Sequence, residues 1–317
     1  MDPRVSAARF SVLSNSLLVV AKLAVGLSIH SVSIISEAIH SGLDLVAAGI
    51  AFWSVQQAAK PADRTHRYGH GKIENLSGAA EALLIFVASA WIIFEGYHRL
   101  RYGGEMEAVT LGLVVMGGSA VLNLAVSRHL FSVAKKTDSM ALEADAMHLS
   151  TDVYTSLGVF GGLILIHFTG LSWLDPVVAI AVALLIMKAA YDLLVQAILP
   201  LSDVKLPDVE EAEIARILNR HAAEYVEWHD LRTRKAGSER HIDLHLVAHR
   251  SQSLGYVHNL CDRMEDEIQS RFPGASVLIH PEPCGGDCPV CSGTSFGEAP
   301  ATRQPTVSDE SAGAPDD

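Results

Sequence analysis

The chain has 317 residues, of which 49% are hydrophobic and 19% are charged, and its formal net charge is −12 at pH 7. Soluble domains average about 25% charged residues, so this composition indicates long apolar segments. The negative charge argues against a nucleic-acid partner, because proteins that bind nucleic acid carry a basic stripe or patch. A cationic ligand such as a metal ion fits this charge better.

Six apolar segments occupy the first two thirds of the chain, each near the roughly 20 residues that cross a bilayer. They cover residues 8–29, 32–58, 75–98, 108–130, 140–168 and 174–199. Arg4 and Arg9 lead directly into the first segment, which favours a retained helix over a cleaved signal peptide. The sequence therefore predicts a membrane all-α bundle of six helices over residues 1–203.

Basic residues are concentrated at the amino terminus and in the connections that follow the second and fourth segments. They are Arg4, Arg9, Lys60, Arg64, Arg67, Lys72, Arg128, Lys135 and Lys136. The opposite side carries only Arg99 and Arg101. Because basic loops stay in the cytoplasm, we expect a multi-pass protein of the cell inner membrane with both termini cytoplasmic.

A different pattern begins after the last apolar segment. Over residues 204–283 we expect a helix at 208–221, strands at 226–235 and 239–248, a helix at 254–272 and a strand at 275–281. This α-β-β-α-β order predicts a small α+β cytoplasmic domain, ferredoxin-like, with two helices on one face of an open sheet. Residues 284–317 are rich in Gly, Pro, Ser and acids, which predicts a disordered tail.

Two identical spacings, His40-x-x-x-Asp44 and His148-x-x-x-Asp152, lie in the second and fifth apolar segments. Residues four apart share one face of a helix, so the two pairs could offer two nitrogens and two oxygens to one ion. We call these four residues the tetrad. Such a set suits a divalent transition metal, above all zinc. The alternative, two polar helix contacts, leaves two membrane-embedded acids without a nearby Lys or Arg in either segment.

A site closed by four protein ligands resembles a storage site, whereas transport requires release. Protons compete with the metal, because His and carboxylate ligands lose affinity when protonated, and histidine titrates near neutral pH. A proton gradient could therefore drive metal off one face. Glu81 and Asp145, two more acids in these segments, could add capacity for proton relay.

Two further clusters contain metal-binding residue types. Asp63-x-x-His66-x-x-x-His70 lies in a basic loop and could hold a metal with incomplete coordination, or be a solvated charged loop. The terminal domain carries ligand types that only a folded sheet could bring together. They are His229, His245, His258, His280 and Glu282. They predict either a two-metal site with a bridging carboxylate or ordinary surface histidines.

Three cysteines follow the last strand as Cys284-x-x-x-Cys288-x-x-Cys291. They could bind zinc with Cys261 or His280 as fourth ligand, or be reduced thiols on a tail.

Residues 8–283 resemble the cation diffusion facilitators, and most closely the bacterial zinc- and iron-efflux branch of that family. Four strings carry the resemblance: SEAIHSGLD at 36–44, YGHGKIE at 68–74, ADAMHLSTD at 144–152 and HDLRTR at 229–234. The resemblance implies a homodimer of six-helix subunits that exchanges metal for protons by alternating access. It makes the tetrad the transport site, and it implies that Lys72 pairs with Asp203 near the dimer interface.

The resemblance also implies a loop site at Asp63, His66 and His70, and a cytoplasmic dimer site lined by the four histidines and Glu282 of the terminal domain. Two positions depart from the family pattern. Several bacterial relatives have Asp in place of His40, and an added nitrogen ligand favours zinc over manganese or cadmium. Glu282 replaces a more usual Asp.

Our expectation is a zinc/proton antiporter that exports Zn²⁺, with Zn²⁺ both as cargo and as regulatory ligand of the terminal domain. The alternatives are the same transporter with Fe²⁺, Co²⁺ or Cd²⁺ as main cargo, or a membrane-anchored metal sensor. An intramembrane metalloenzyme is disfavoured, because it needs an open coordination position and a base, as in His-Glu-x-x-His. We therefore expect a secondary active transporter and not an enzyme.

Overall fold

The computed structural model describes residues 2–28, 32–102, 110–169, 171 and 173–285. The chain divides into two compact units, Met1–Val204 with Ala236–Ser238, and Lys205–Lys235 with Glu239–Asp317. The expected disorder of residues 284–317, together with Cys288 and Cys291, falls almost entirely on residues 286–317, which lie outside the described part of the chain.

Six long helices form the first unit over its described residues. They are α1 (Pro3–Ser28), α2 (Val32–Ala58), α3 (Lys72–Tyr102), α4 (Thr110–Thr137), α5 (Met140–Thr169) and α6 (Leu174–Ile198), followed by a short 3-10 helix, Leu199–Ser202. Proline is found where a helix tolerates it: Pro176 lies in the first turn of α6, and Pro200 lies two residues after its last residue, Ile198.

Four of these helices are long and apolar enough to cross a membrane. The spans are Pro3–Ser28, Ala38–Ala58, Lys72–Tyr102 and Pro176–Ser202. Over their described residues, α4 and α5 do not meet the same criterion of length and composition. A membrane-spanning helical unit is therefore present, and the crossing of the bilayer by all six helices stays a prediction.

Small residues dominate the helix contacts of this unit. Alanines of α1, α4 and α5 are completely or almost completely buried, among them Ala8, Ala134 and Ala146. α3 packs closely along α6, α1 along α2, and α4 along α5. Small side chains allow helix backbones to approach closely within a membrane, so these alanines favour close packing of their helices.

An ion pair connects the beginning of α3 to the end of the helical unit. Lys72 Nζ lies 2.8 Å from Asp203 Oδ1, and Asp203 has a positive φ of 58° after the 3-10 helix. The pair that the family resemblance implies is therefore present within one chain.

The second unit contains α7 (Asp208–Arg220), β1 (Glu227–Ala236), β2 (Glu239–Ala248), α8 (Leu254–Arg271) and β3 (Ser276–Pro283). The strands form one sheet in the order β1-β2-β3, with β2 parallel to β3. The predicted α-β-β-α-β order is confirmed, as is the alternation along β2. Its Ile242, Leu244 and Leu246 are buried in one core with residues of α7 and α8. The side chains between them, such as His245, point to the opposite face of the sheet.

Gly96 provides a test of the α3–α6 packing. A Cβ at this position would lie 2.7 Å from Ile180 Cγ1 and 3.3 Å from the Pro176 carbonyl oxygen. We expect Gly96→Ala to force these helices apart and to reduce stability by about 1–3 kcal/mol, measured by thermal unfolding of the purified protein in detergent. Gly49→Ala in α2 is the control, because nothing lies within 4 Å of its Cβ. Equal melting temperatures for the two variants would contradict this packing.

Candidate metal sites

The tetrad residues meet where α2 packs against α5. His148 Nε2 is 3.2 Å from Asp44 Oδ1, and His40 Nε2 is 3.8 Å from Asp152 Oδ1. Each imidazole therefore faces the carboxylate of the other helix. One ligand atom from each of His40, Asp44 and Asp152 lies within 4.8 Å of the others. The equal spacing on two helices thus brings three of the four tetrad residues into one ligand cluster, and His148 contacts this cluster through Asp44.

A polar cavity of about 130 Å³ opens at the tetrad, which is room for an ion and a few water molecules. Asp44 is its most buried acid, with 5% of the side chain exposed, whereas the His40 side chain is 60% exposed. Asp44 therefore lies at the buried end of the site and His40 at its exposed end.

Two residues at this cavity come from helices that the sequence analysis did not connect with the tetrad. Asn123 of α4 donates a hydrogen bond from Nδ2 to Asp152 Oδ2 at 3.2 Å, which leaves Asp152 Oδ1 facing His40. Lys22 of α1 also lines the cavity. In the sequence, Asn123 stands out as a polar amide in a stretch without charged residues. Spacing alone could not identify Asp152 as its partner.

Glu81 of α3 and Asp145 of α5 are both buried, each with 1% exposure. Glu81 Oε1 accepts a hydrogen bond from the Ser77 hydroxyl at 3.4 Å, whereas Glu81 Oε2 has no partner among the described residues.

Asp63, His66 and His70 converge in the loop between α2 and α3. His70 Nε2 is 3.3 Å from Asp63 Oδ2, and the two imidazole ring centroids are 4.5 Å apart. Gly69, with φ 79°, makes the turn that brings His70 back to the acid. Ligand atoms of all three residues lie within 4.8 Å of one another. The loop therefore has the geometry of a candidate three-ligand metal site.

The Asp63 carboxylate is oriented by its own loop. Its Oδ1 accepts hydrogen bonds from the His66 backbone N–H at 2.6 Å and from the Thr65 hydroxyl and backbone N–H, each at 2.8 Å. These hydrogen bonds, that of the His66 backbone first, hold the pKa of the Asp63 carboxyl well below its usual range. Since Oδ1 is occupied, Oδ2 is the oxygen that can bind a metal.

On the sheet face opposite the helices, three histidines surround one carboxylate. Glu282 Oε1 is 3.0 Å from His245 Nδ1 and 3.9 Å from His280 Nε2, and Glu282 Oε2 is 3.7 Å from His229 Nε2. The parallel register places His245 opposite His280. A carboxylate among three imidazoles can bridge metal ions or close the coordination of one.

Two other residues change the expected ligand set of the terminal domain. His258 is not brought to Glu282 within the chain: it lies on α8, and its Nδ1 is 3.4 Å from Asp262 Oδ1. Asp230, which the sequence analysis did not select, offers a ligand atom within 4.8 Å of those of His229 and His245. Its φ of 51° turns the chain at this point of β1, a conformation that the sequence did not reveal.

The cysteines that the structure describes do not match the zinc cluster that their spacing allowed. Cys261 lies in the core of the second unit, and burial raises the pKa of its thiol to about 11. Because the thiolate is the metal ligand, Cys261 is a poor fourth ligand. Cys284 is also buried, and its Sγ accepts the Arg250 backbone N–H at 3.4 Å.

Comparison with known families assigns both units. The family model "Cation efflux transmembrane domain" matches residues 8–202, which is more than half of the chain. This chain belongs to the cation diffusion facilitator family. The model "Cation efflux protein, cytoplasmic domain" matches residues 206–284. The resemblance found in the sequence is confirmed, and the chain is an integral membrane cation efflux transporter.

Relatives cover most of the chain. An uncharacterized transporter of Synechocystis sp. is 35% identical over 253 residues, 80% of this chain and 82% of that protein. The cation-efflux pump FieF of Shewanella oneidensis is 32% identical over 277 residues, 87% of this chain and 93% of that protein. FieF of Cronobacter sakazakii is also 32% identical, over 88% of this chain and 92% of that protein. A solved structure of CzrB, described as a candidate zinc transporter, is 37% identical and corresponds to 25% of this chain and 99% of that one, with a TM-score of 0.24.

The loop cluster makes a prediction about pH. A lowered pKa means that the folded loop favours the charged Asp63, so this oxygen ligand persists as pH falls. Zinc bound at the loop should therefore be lost before the Asp63 carboxylate takes up a proton, because histidine ligands lose metal when they are protonated. Equilibrium dialysis from pH 8 to 4 measures this on full-length protein in which Asp44→Asn and Glu282→Gln disable the other two clusters.

Asp63→Asn is the control for this measurement, and it should weaken zinc binding at every pH because the oxygen ligand loses its charge. Zinc that stays bound until about pH 4, where carboxylates titrate, would contradict the assignment of the two histidines.

Proposed function

We propose that this cation efflux transporter exchanges Zn²⁺ for protons at the tetrad. The observation that carries the proposal is the crosswise arrangement in which each histidine faces the aspartate of the other helix. Two imidazole nitrogens and two carboxylate oxygens form a ligand set that zinc prefers. The two aspartates also carry the charge that a divalent cation neutralises.

Protons supply the second substrate of the proposed exchange. All four tetrad residues bind metal in their deprotonated forms, so protons arriving from one side of the membrane displace the metal. The buried Glu81 and Asp145 support this interpretation, because a carboxyl group buried inside a membrane protein is readily kept neutral by a proton. We propose a secondary active transporter with alternating access, in which the tetrad opens to one side at a time.

The proposed direction is export from the cytoplasm of the cell, across its inner membrane, through six spanning helices with both termini cytoplasmic. The distribution of basic residues supports this orientation. The proposed assembly is a homodimer, supported by the match of residues 206–284 to the family's cytoplasmic domain.

Zinc is also proposed as a regulatory ligand of the cytoplasmic domain. The convergence of His229, His245 and His280 on Glu282 supports a site there, whereas a role for His258 in it stays a prediction. The loop cluster of Asp63, His66 and His70 is proposed as a further zinc site, whose three ligands would leave a coordination position for exchange.

The tetrad acids provide the central test. In liposomes with a pH gradient and an enclosed zinc dye, Asp44→Asn and Asp152→Asn should each reduce zinc flux at least about tenfold, because each removes a charged metal ligand. The proton flux recorded in the same vesicles should fall with it. Asp192→Asn is the matched control: it removes an exposed acid from α6, outside the cavity. Undiminished zinc flux in either tetrad variant would remove the proposed transport site.

Selectivity for the transported metal is tested separately by a substitution at His40. Replacing its imidazole nitrogen by a carboxylate oxygen, His40→Asp, should lower the preference for zinc over cadmium or manganese severalfold, because carboxylate sites suit harder or larger ions. Competition flux with mixtures of zinc and Cd²⁺, Mn²⁺, Fe²⁺ or Co²⁺ measures this. Unchanged selectivity would exclude His40 as a determinant. Preference of the unsubstituted protein for Fe²⁺, Co²⁺ or Cd²⁺ would reject zinc as the main cargo and leave metal/proton exchange standing.

A further inference from the structure

Lys22 is a buried lysine in an apolar helix, 6% exposed, at the cavity of the tetrad. Its ammonium donates a hydrogen bond to the Ser41 hydroxyl at 2.8 Å. Ser41 immediately follows His40 on α2 and is itself 2% exposed. Ionisable residues within membrane helices are rare and costly, and they usually have a functional role. The position of Lys22 therefore requires an explanation in terms of the neighbouring metal site.

The charges around the cavity indicate what this lysine does. Among the described residues that line the cavity, Lys22 is the only Lys or Arg, and Asp44 and Asp152 are the only acids. Without cargo the cavity holds one excess negative charge, and with a divalent ion it holds one excess positive charge. Two embedded carboxylates without any cation would be strongly unfavourable, so the ammonium offsets part of that cost when the cargo has left.

We propose that Lys22 is a built-in counter-cation that weakens zinc binding at the tetrad and thereby speeds zinc release. This inference rests on the tetrad being the zinc site. A fixed positive charge on the same cavity repels a doubly charged ion, and the low dielectric of the protein interior strengthens the repulsion. The ammonium also stabilises the empty site. Both effects act in the same direction, towards a lower affinity for the cargo.

The hydrogen bond to Ser41 holds the ammonium at the edge of the site. Ser41 lies on the same helix as His40 and Asp44 and contributes to the same cavity. Lys22 is thus a positioning and affinity-setting residue, and it is not itself a metal ligand, because a protonated amine has no lone pair to donate.

The test measures zinc affinity and turnover in full-length protein in nanodiscs and liposomes. All proteins carry His70→Ala and His245→Ala, so that the tetrad is the zinc site that remains. Lys22→Gln keeps a hydrogen-bond donor but removes the charge. It should lower the Kd for zinc roughly tenfold or more, and it should reduce the maximal rate of zinc transport, because release from the tighter site is slower.

Three further variants separate charge from structure. Lys22→Arg retains the charge and should keep Kd and rate close to those of the parent. Ser41→Ala removes the hydrogen bond but leaves the lysine, so it should not reproduce the tighter binding. Lys188→Gln removes an exposed lysine of α6 outside the cavity and should change neither quantity.

An unchanged or raised Kd in Lys22→Gln would overturn the inference, as would equal effects of Lys22→Gln and Lys188→Gln. Lys22→Met provides a second neutral variant if the glutamine variant does not fold. If both neutral variants fail to fold while Lys22→Arg folds, the charge is needed for α1 to pack against α2. This result would also overturn the inference. Absence of zinc transport by the unsubstituted protein would instead reject the proposed function itself.

Discussion

The structure depends on charge compensation inside an apolar helix bundle. Asp44 and Asp152 project from α2 and α5 into one small cavity, and carboxylates there are tolerated only when a cation or a proton balances them. The crosswise contacts with His148 and His40 provide part of that balance and keep the two acids at a distance one ion can bridge. In the proposed exchange either zinc or protons complete this balance, so occupancy by one would exclude the other.

The remaining helices contribute to this cavity in two ways: two of them line it, and two support one of the helices that form it. α1 and α4 bring Lys22 and Asn123 to its wall, so that one adds charge and the other fixes an oxygen of Asp152. α3 and α6 pack together through Gly96 and Ile180 and support α5 from another side. A binding site made by two helices is thus adjusted by residues of their neighbours.

The sequence predicted what depends on local periodicity. A spacing of four residues was enough to place His40 and Asp44 on one face of a helix. The alternation of apolar and polar residues was enough to predict which side chains of β2 are buried. The sequence could not predict partners from distant helices, such as Lys22, because nothing in the spacing states which helices pack together. It also grouped His258 with the other histidines by residue type, although α8 holds it beside Asp262. Six membrane spans were predicted, and four meet the criterion of length and composition over the residues that the structure describes.

The turn at Asp63 has a kinetic consequence. Three hydrogen bonds from Thr65 and His66 orient this carboxylate before any ion arrives, so the loop does not have to refold each time an ion binds or departs. At the proposed loop site, the lifetime of a bound ion would then be set by the breaking of a few coordination bonds. Ions would exchange there quickly and would not be retained.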